Sequence, residues 1–361
     1  MVLRRTILQN LFLFVVTLCV SINASNSNLL IQFSSINFII FFLLCLKNKE
    51  ILEAIKENYI NNKFFFIIFF VYVGYLIFQI IPLPLHWFEV IAPANHALYS
   101  SIKIDKEFWS LSLDPSSSYF RLLNCINFFI IFLIFPALFF RSKHLMKVLF
   151  FFCFLGFCHA VFATYWMLIG NPSNFLIQKS HYLHASTGLF VNRAVFATFL
   201  LLCAFSGLYY MVVFFQKNKI TSFSFFEQVN TKIIYVRIFI IFLTIGILTT
   251  WSRIVNFSYV LVLISFLIYS KISFKKYINP LSTIILFILL FDILILGLVF
   301  GNAKLIERYA ETSIMGEAGR IGLHQFGFTQ FKKFWLFGYG TGSFELIYKL
   351  FHTIPPNGSL A

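Results

Sequence analysis

The sequence predicts an all-α protein, a polytopic bundle of transmembrane helices with about nine spans and a mostly helical outer segment at its C-terminus. Three observations carry that expectation. Of the 361 residues, 60% are hydrophobic and only 11% are charged, whereas a soluble domain carries about 25% charged residues. The apolar residues gather into runs of about 17 to 25, the length a helix needs to cross a bilayer. The basic residues gather in the short segments between those runs.

The runs fall at 7–22, 29–46, 64–81, 119–140, 148–170, 188–215, 233–250, 254–270 and 279–300. The first follows Arg4 and Arg5 and ends near Ala24, so it also has the layout of a signal peptide. A cut at Ala24 would put Ile22 where a small residue is preferred, which favours an uncleaved span. The segment 82–118 is long and carries Pro82, Pro84, Pro93 and Pro115, with Trp87 and Trp109. Prolines end helices and tryptophan favours the membrane interface, so this segment reads as an interfacial loop. Its end, LSLDPSSSYF, is an Asp-Pro turn into the fourth span.

The formal net charge is +15. In a nucleic-acid binder such cations cluster with polar residues on a folded surface. Here fifteen Lys and Arg lie at the N-terminus and near 47–63, 141–147, 216–232 and 271–276, against three in 82–118 and 171–187. That asymmetry is the positive-inside pattern and places the first group in the cytoplasm; no nucleic-acid partner is expected. Nine spans then send residues 301–361 outside. The chain divides into a transmembrane region, 1–300, and an outer segment, 301–361.

The 52 phenylalanines read as lipid-facing filler rather than an aromatic box. The six cysteines all sit in apolar runs without a C-x-x-C pair. They behave as small hydrophobes, not as a disulfide framework or metal site. His181 and His184 make an H-x-x-H without a third ligand, which is too little for zinc. No metal or bound cofactor is expected.

Arginine at the lysine-poor face needs a reason, because it is costly at membrane depth. Arg193 lies in GLFVNRAVFATF, Arg253 in the tight turn LTTWSRIVNF, and Arg320 in GEAGRIGLHQFGF. Each alone would be satisfied by a helix-end carbonyl or a lipid phosphate. Together, in a chain with only thirteen Asp plus Glu, they suit an anionic ligand at the membrane surface. Guanidinium grips phosphate oxygens bidentately and stays charged. Arg121 and Arg237 are further candidates, both placed to snorkel. The segment FTQFKKFWLFGYGTGSFELIY follows an amphipathic helix expected over about 317–335 and carries Gly338, Gly340 and Gly342 at spacing two. No strand–helix unit surrounds it, so it is no dinucleotide fingerprint. It reads as a flexible turn, or as a backbone that approaches a ligand closely.

Four stretches together resemble the O-antigen ligase and polymerase-like family of polytopic membrane glycan transferases. IPLPLHWFEVIAP with LSLDPSSS is similar to its first outer loop, GLFVNRAVFATFLL to its G-x-F-x-N-R-N-x-x-A span start, and TTWSR to its T-x-S-R turn. GRIGLHQFGFTQFKKFWLFGYGTGSF is similar to its G-R-x-x-x-W…P-L-x-G-x-G-x-G-x-F stretch. The departures are Ala194 for the second Asn, His324 for Trp, and the missing Pro near Phe334. The family's A-H-N histidine is expected beyond Ala361, so the chain reads as the N-terminal part of a longer protein, inactive by itself.

The resemblance implies a membrane glycosyltransferase or ligase in a bacterial cell inner membrane. It would move a glycan from undecaprenyl pyrophosphate onto lipid A core, a growing polysaccharide or a protein at the periplasmic face. It also implies that Arg253, Arg320 and Arg193, with Gly338 and Gly340, bind the substrate, and that the general base is the histidine beyond Ala361. Membrane lipids are the remaining partner. The alternatives are a transporter similar to bicarbonate-transport proteins, with Asp292 as its mid-span carboxylate, and a non-catalytic subunit of an envelope assembly system.

Overall fold

The computed structural model describes residues 4–22, 28–101, 107–140, 142–172, 182–218, 231–273, 314–334 and 337–351. The protein is mostly helical. In chain order it has α1 (Arg5–Ser21), α2 (Asn28–Leu46), α3 (Lys49–Asn61), α4 (Lys63–Ile80), β1 (Pro82–Pro84), α5 (Leu85–Ile91), α6 (Pro93–Ser101), β2 (Phe108–Ser110), α7 (Pro115–Phe139), α8 (Ser142–Leu168), α9 (Arg193–Asn218), α10 (Thr231–Thr249), α11 (Arg253–Ser273), α12 (Ile314–Lys333) and α13 (Phe344–Phe351). Eight of the nine apolar runs are helices where the sequence placed them. Five, within α2, α4, α7, α8 and α9, are long and apolar enough to cross a membrane, while those in α1, α10 and α11 are shorter. The run at 279–300, with Asp292, lies outside the described residues.

Two segments differ from expectation. The stretch near 47–63 is a helix, α3. Asn48 caps it by accepting from the Ile51 amide at 3.3 Å, and its charged side chains surround the buried pair Ile51 and Ile55. Its charge suggests a loop, but the 3.6-residue periodicity is there. The segment 82–118 is not an irregular loop. Its prolines flank an antiparallel two-stranded ribbon, Pro82 opposite Ser110 and Pro84 opposite Phe108, so the architecture is not purely α. Proline is tolerated here because a two-stranded ribbon is all edge. Trp109 is not an interface anchor. It is buried with Phe88, Ala92 and Leu111, its ring 4.1 Å from that of Tyr99, whereas Trp87 is exposed.

The chain forms two compact units. The first contains residues 1–8, 27–138 and 312–361. In it, Arg5 donates to the carbonyls of Ala137 (2.6 Å) and Leu138 (3.2 Å), supplying donors that the C-terminus of α7 lacks. Pro136 lies inside α7 and has no N–H to give the carbonyl four residues earlier. The side-chain amide of Asn58 donates to that carbonyl, Phe132, at 3.3 Å. A buried amide on α7, Asn127, likewise donates to Ser35 on α2 at 2.9 Å.

The second unit contains residues 9–26 and 139–311. Its core is made by α8, α9, α10 and α11. Small residues set how close these helices lie, as is usual where lipid removes the hydrophobic drive between helices. A Cβ on Gly246 would stand 2.8 Å from that of Ala160 and 2.9 Å from Leu200. One on Gly207 would stand 2.6 Å from the Cys153 sulfur. Cys153 and Cys203 act here as small buried residues. Between α10 and α11, Thr244 and Tyr259 share a hydroxyl hydrogen bond.

Gly246→Val forces the α8–α10 contact apart. Overpacking of this kind costs about 1–3 kcal/mol, so the detergent-solubilised protein should unfold at lower temperature than wild type. Gly74→Ala, which meets nothing within 4 Å, should leave that temperature unchanged or raise it.

Candidate functional site

Two places gather the residues that the sequence singled out, one in each unit. In the second unit the place is the end where α8 stops and α9 begins. Leu168 is followed by a turn in which Asn171 adopts φ 51°. The Asn171 side chain donates to the carbonyls of Leu183 (2.6 Å) and Ala185 (3.0 Å), pinning the returning segment. That segment is tied to α10 through the Ser186 amide and the Thr249 carbonyl, 3.0 Å apart. Gly188 lies in its path with φ +54°, where a Cβ would meet Ala163 at 3.1 Å. The chain then enters α9 at Arg193.

Backbone strain collects at this end. Among the described residues, the non-glycine residues with positive φ are Asn171, Tyr182 (φ 60°) and Trp251 (φ 51°), all on the turns that cap α8, α9 and α10. Asparagine tolerates the left-handed region; bulky Tyr and Trp do not, and such outliers cluster at functional sites. Tyr182 carries the Arg193 guanidinium over its ring, Cζ to centroid 4.8 Å. Trp251 is the centre of the T-T-W-S-R turn that leads into Arg253, the first residue of α11, itself half-buried.

Arg193 Nη1 is buried and has no hydrogen-bond partner among the described residues. The same is true at this end of the Oγ of Ser186, the hydroxyl of Thr164 on α8, and both amide atoms of Asn256, one turn into α11. An unpartnered buried polar group costs about 1–3 kcal/mol. Donors and acceptors left open on four adjoining segments suit a polar ligand carrying negative charge. Sequence reasoning found Arg193 and Arg253 here and missed Tyr182, Ser186, Thr164 and Asn256. The available signal was Asn256, an amide in an otherwise apolar run.

In the first unit the place is the glycine loop after α12. Gly338, Gly340 and Gly342 have φ of +60°, +101° and +92°, a region open to glycine. Gly340 packs flat on the backbone of Ser112, where a Cβ would stand 2.5 Å from the Ser112 Cα. The Leu113 amide donates to the Tyr339 carbonyl at 2.9 Å, and the Ser118 hydroxyl to the Thr341 carbonyl at 2.7 Å. Thus G-Y-G-T-G lies on L-S-L-D-P-S-S-S. The latter is fixed in turn by Asp114, whose carboxylate accepts from the Ser117 amide (3.0 Å) and hydroxyl (2.6 Å) ahead of Pro115 in the first turn of α7.

Gln79, at the end of α4, completes the joint. Its side-chain oxygen accepts from both the amide (3.0 Å) and the hydroxyl (2.8 Å) of Thr341, and its own carbonyl accepts from the Ser112 amide at 2.9 Å. A cavity of about 330 Å³ opens beside this loop, lined among others by Tyr75, Gln79, Gln330 and Tyr339. Burial pushes the Tyr339 phenol above its ordinary pKa, so it stays a neutral donor to the Gln330 side chain at 2.9 Å. Sequence reasoning found the glycines and missed these four. Arg320 falls on α12 with its side chain outside the described residues, while His324 on the same helix is exposed. His181 and His352 lie outside the described residues and His184 is exposed. Among the described residues no three His, Cys, Asp or Glu side chains are grouped to hold a metal.

Comparison with protein-family models, with characterised proteins and with solved structures finds no match.

Gly340→Ala should lift the glycine loop from Ser112. The expected result is faster amide hydrogen exchange in both 337–343 and 111–118, with the rest of the first unit unchanged. Gly322→Ala on α12, which meets nothing within 4 Å, should leave both segments protected.

Proposed function

We propose that this protein is a membrane glycosyltransferase of the O-antigen ligase type. It lies in a bacterial cell inner membrane with nine spans, its N-terminus in the cytoplasm and residues 301–361 in the periplasm. It transfers a glycan from undecaprenyl pyrophosphate to an acceptor hydroxyl at the periplasmic face. The observation that carries this reading is Arg193, a guanidinium held over Tyr182 with a buried nitrogen that no described residue accepts from. It belongs to the lysine-poor end of the spans, which the positive-inside pattern assigns to the outer face.

The chemistry is a displacement at the sugar carbon that bears the pyrophosphate. The bond from that carbon to the phosphate oxygen breaks, and a bond to the acceptor oxygen forms. Negative charge develops on the leaving group. Arg193 and Arg253 neutralise it, and fixed positive charge in a site of low dielectric is the most effective form of such stabilisation. The acceptor proton passes to a general base outside the described residues. Ser186 and Asn256 supply neutral hydrogen bonds to the same anion.

In cells lacking the native gene, Arg193→Ala and Arg253→Ala should each lower surface-glycan display about 10²–10³-fold, the cost of removing one charge-stabilising contact. Protein amount and membrane insertion should not change. Normal display in both variants would sink the reading. The orientation is checked apart from the chemistry: a periplasm-dependent alkaline phosphatase reporter should be active when fused after Asn171 and inactive after Asn48.

A further inference from the structure

We infer that the cavity beside the glycine loop is a seat for a single neutral sugar ring. The inference deepens the transferase reading, on which it rests for the source of the sugar, but the chemistry of the cavity is argued by itself. None of the described lining residues is charged or a histidine. A phosphate, carboxylate or ammonium would therefore lose its hydration there without gaining an opposite charge, a loss of several kcal/mol. The cavity is nevertheless lined in part by Gln and Tyr side chains. Neutral groups that both donate and accept suit hydroxyls, which do the same.

These groups differ in what they have left to offer. Gln79 is committed: its oxygen serves Thr341 twice, while the neighbouring Tyr75 hydroxyl donates to the Phe337 carbonyl at 3.2 Å. Gln79 is thus a positioning residue. Gln330 is not spent. Its oxygen accepts from Tyr339, but its side-chain amide has no partner among the described residues and lines the cavity. Phe331 and Phe334 line it as well, Phe334 with its ring 5.1 Å from that of Tyr339. Phe331 is 58% exposed, so its ring is open to a ligand. Apolar rings and neutral hydrogen-bonding groups in one lining match the two characters of a pyranose, C–H on its faces and O–H around its rim. The volume, about 330 Å³, is at the small end for ligand pockets. It suits one ring rather than an extended peptide, and no free strand edge lines it to pair with a peptide backbone.

The test uses the full-length protein in lipid nanodiscs and saturation-transfer NMR. The probes are methyl glucoside and N-acetylglucosamine as neutral sugars, glucose 6-phosphate and glucuronate as anionic ones, and trialanine amide as a peptide. Wild type should transfer saturation to at least one neutral sugar and to none of the others. Gln330→Ala and Phe331→Ala should each weaken that binding tenfold or more. Phe331→Ala removes a largely exposed ring, so its fold is not at stake; an unchanged thermal transition confirms this. The inference is overturned if no neutral sugar binds, if the anionic sugars or the peptide bind as well, or if binding is undiminished in Phe331→Ala. The transferase reading fails separately. Sugar binding with glycan display that ignores Arg193→Ala removes the transferase and leaves the seat. Display that depends on Arg193 with no sugar signal does the reverse.

Discussion

The amide of Leu113 and the carbonyl of Tyr339 are 226 positions apart in the chain and 2.9 Å apart in the fold. The joint between the glycine loop and the start of α7 leans on that bond. It forms only because Gly340 lets two backbones touch at Ser112. Any side chain at Gly340 would hold them apart and leave the Leu113 donor without its acceptor. Once the contact is made, Gln79 and Ser118 close over Thr341 from opposite sides, and α12 and the end of α4 acquire a cavity between them. The glycines thus act first on packing. Their bearing on a ligand follows from what the packed loop encloses.

The second unit obeys a different constraint. Its helices approach closely because Gly156, Gly207, Gly246 and the small cysteines leave no room for anything larger. The tight turn between α10 and α11 strains the backbone of Trp251, and the longer connection from α8 to α9 strains that of Tyr182. That strain is held in place by many small bonds, among them the two that Asn171 makes to the returning segment. The result is a rigid rim carrying Arg193, in which several polar atoms are presented and left unsatisfied. A flexible rim would let those groups fold back on one another.

Much of the architecture was legible in the sequence, because the length and polarity of a run decide whether it is a buried helix. Asp114 and Pro115 also announced the start of α7, since a cap followed by proline has a direct structural meaning. What stayed hidden was tertiary. Trp109 looks the same in a chain whether it meets lipid or Phe88, and the ribbon at Pro82 depends on a partner at Ser110 far along the loop. At the candidate site the arginines stood out by charge. Tyr182 did not, because its importance lies in a dihedral angle and in what rests on its ring. Gln79 and Gln330 were unremarkable as letters. Gln79 acquired meaning only across the 262 positions that separate it from Thr341.

The proline in α7 has one more consequence. Between Pro115 and Pro136 the helix runs roughly 30 Å at its usual rise, from the serines that grip the glycine loop to the carbonyl of Phe132. At the far end the rod is not closed by its own ladder but by an amide borrowed from α3. One turn further on, Arg5 takes the last carbonyls of the same helix. In the first unit one helix is thus gripped at both ends by groups borrowed from elsewhere in the chain, and a change at either end has a rod along which to reach the other.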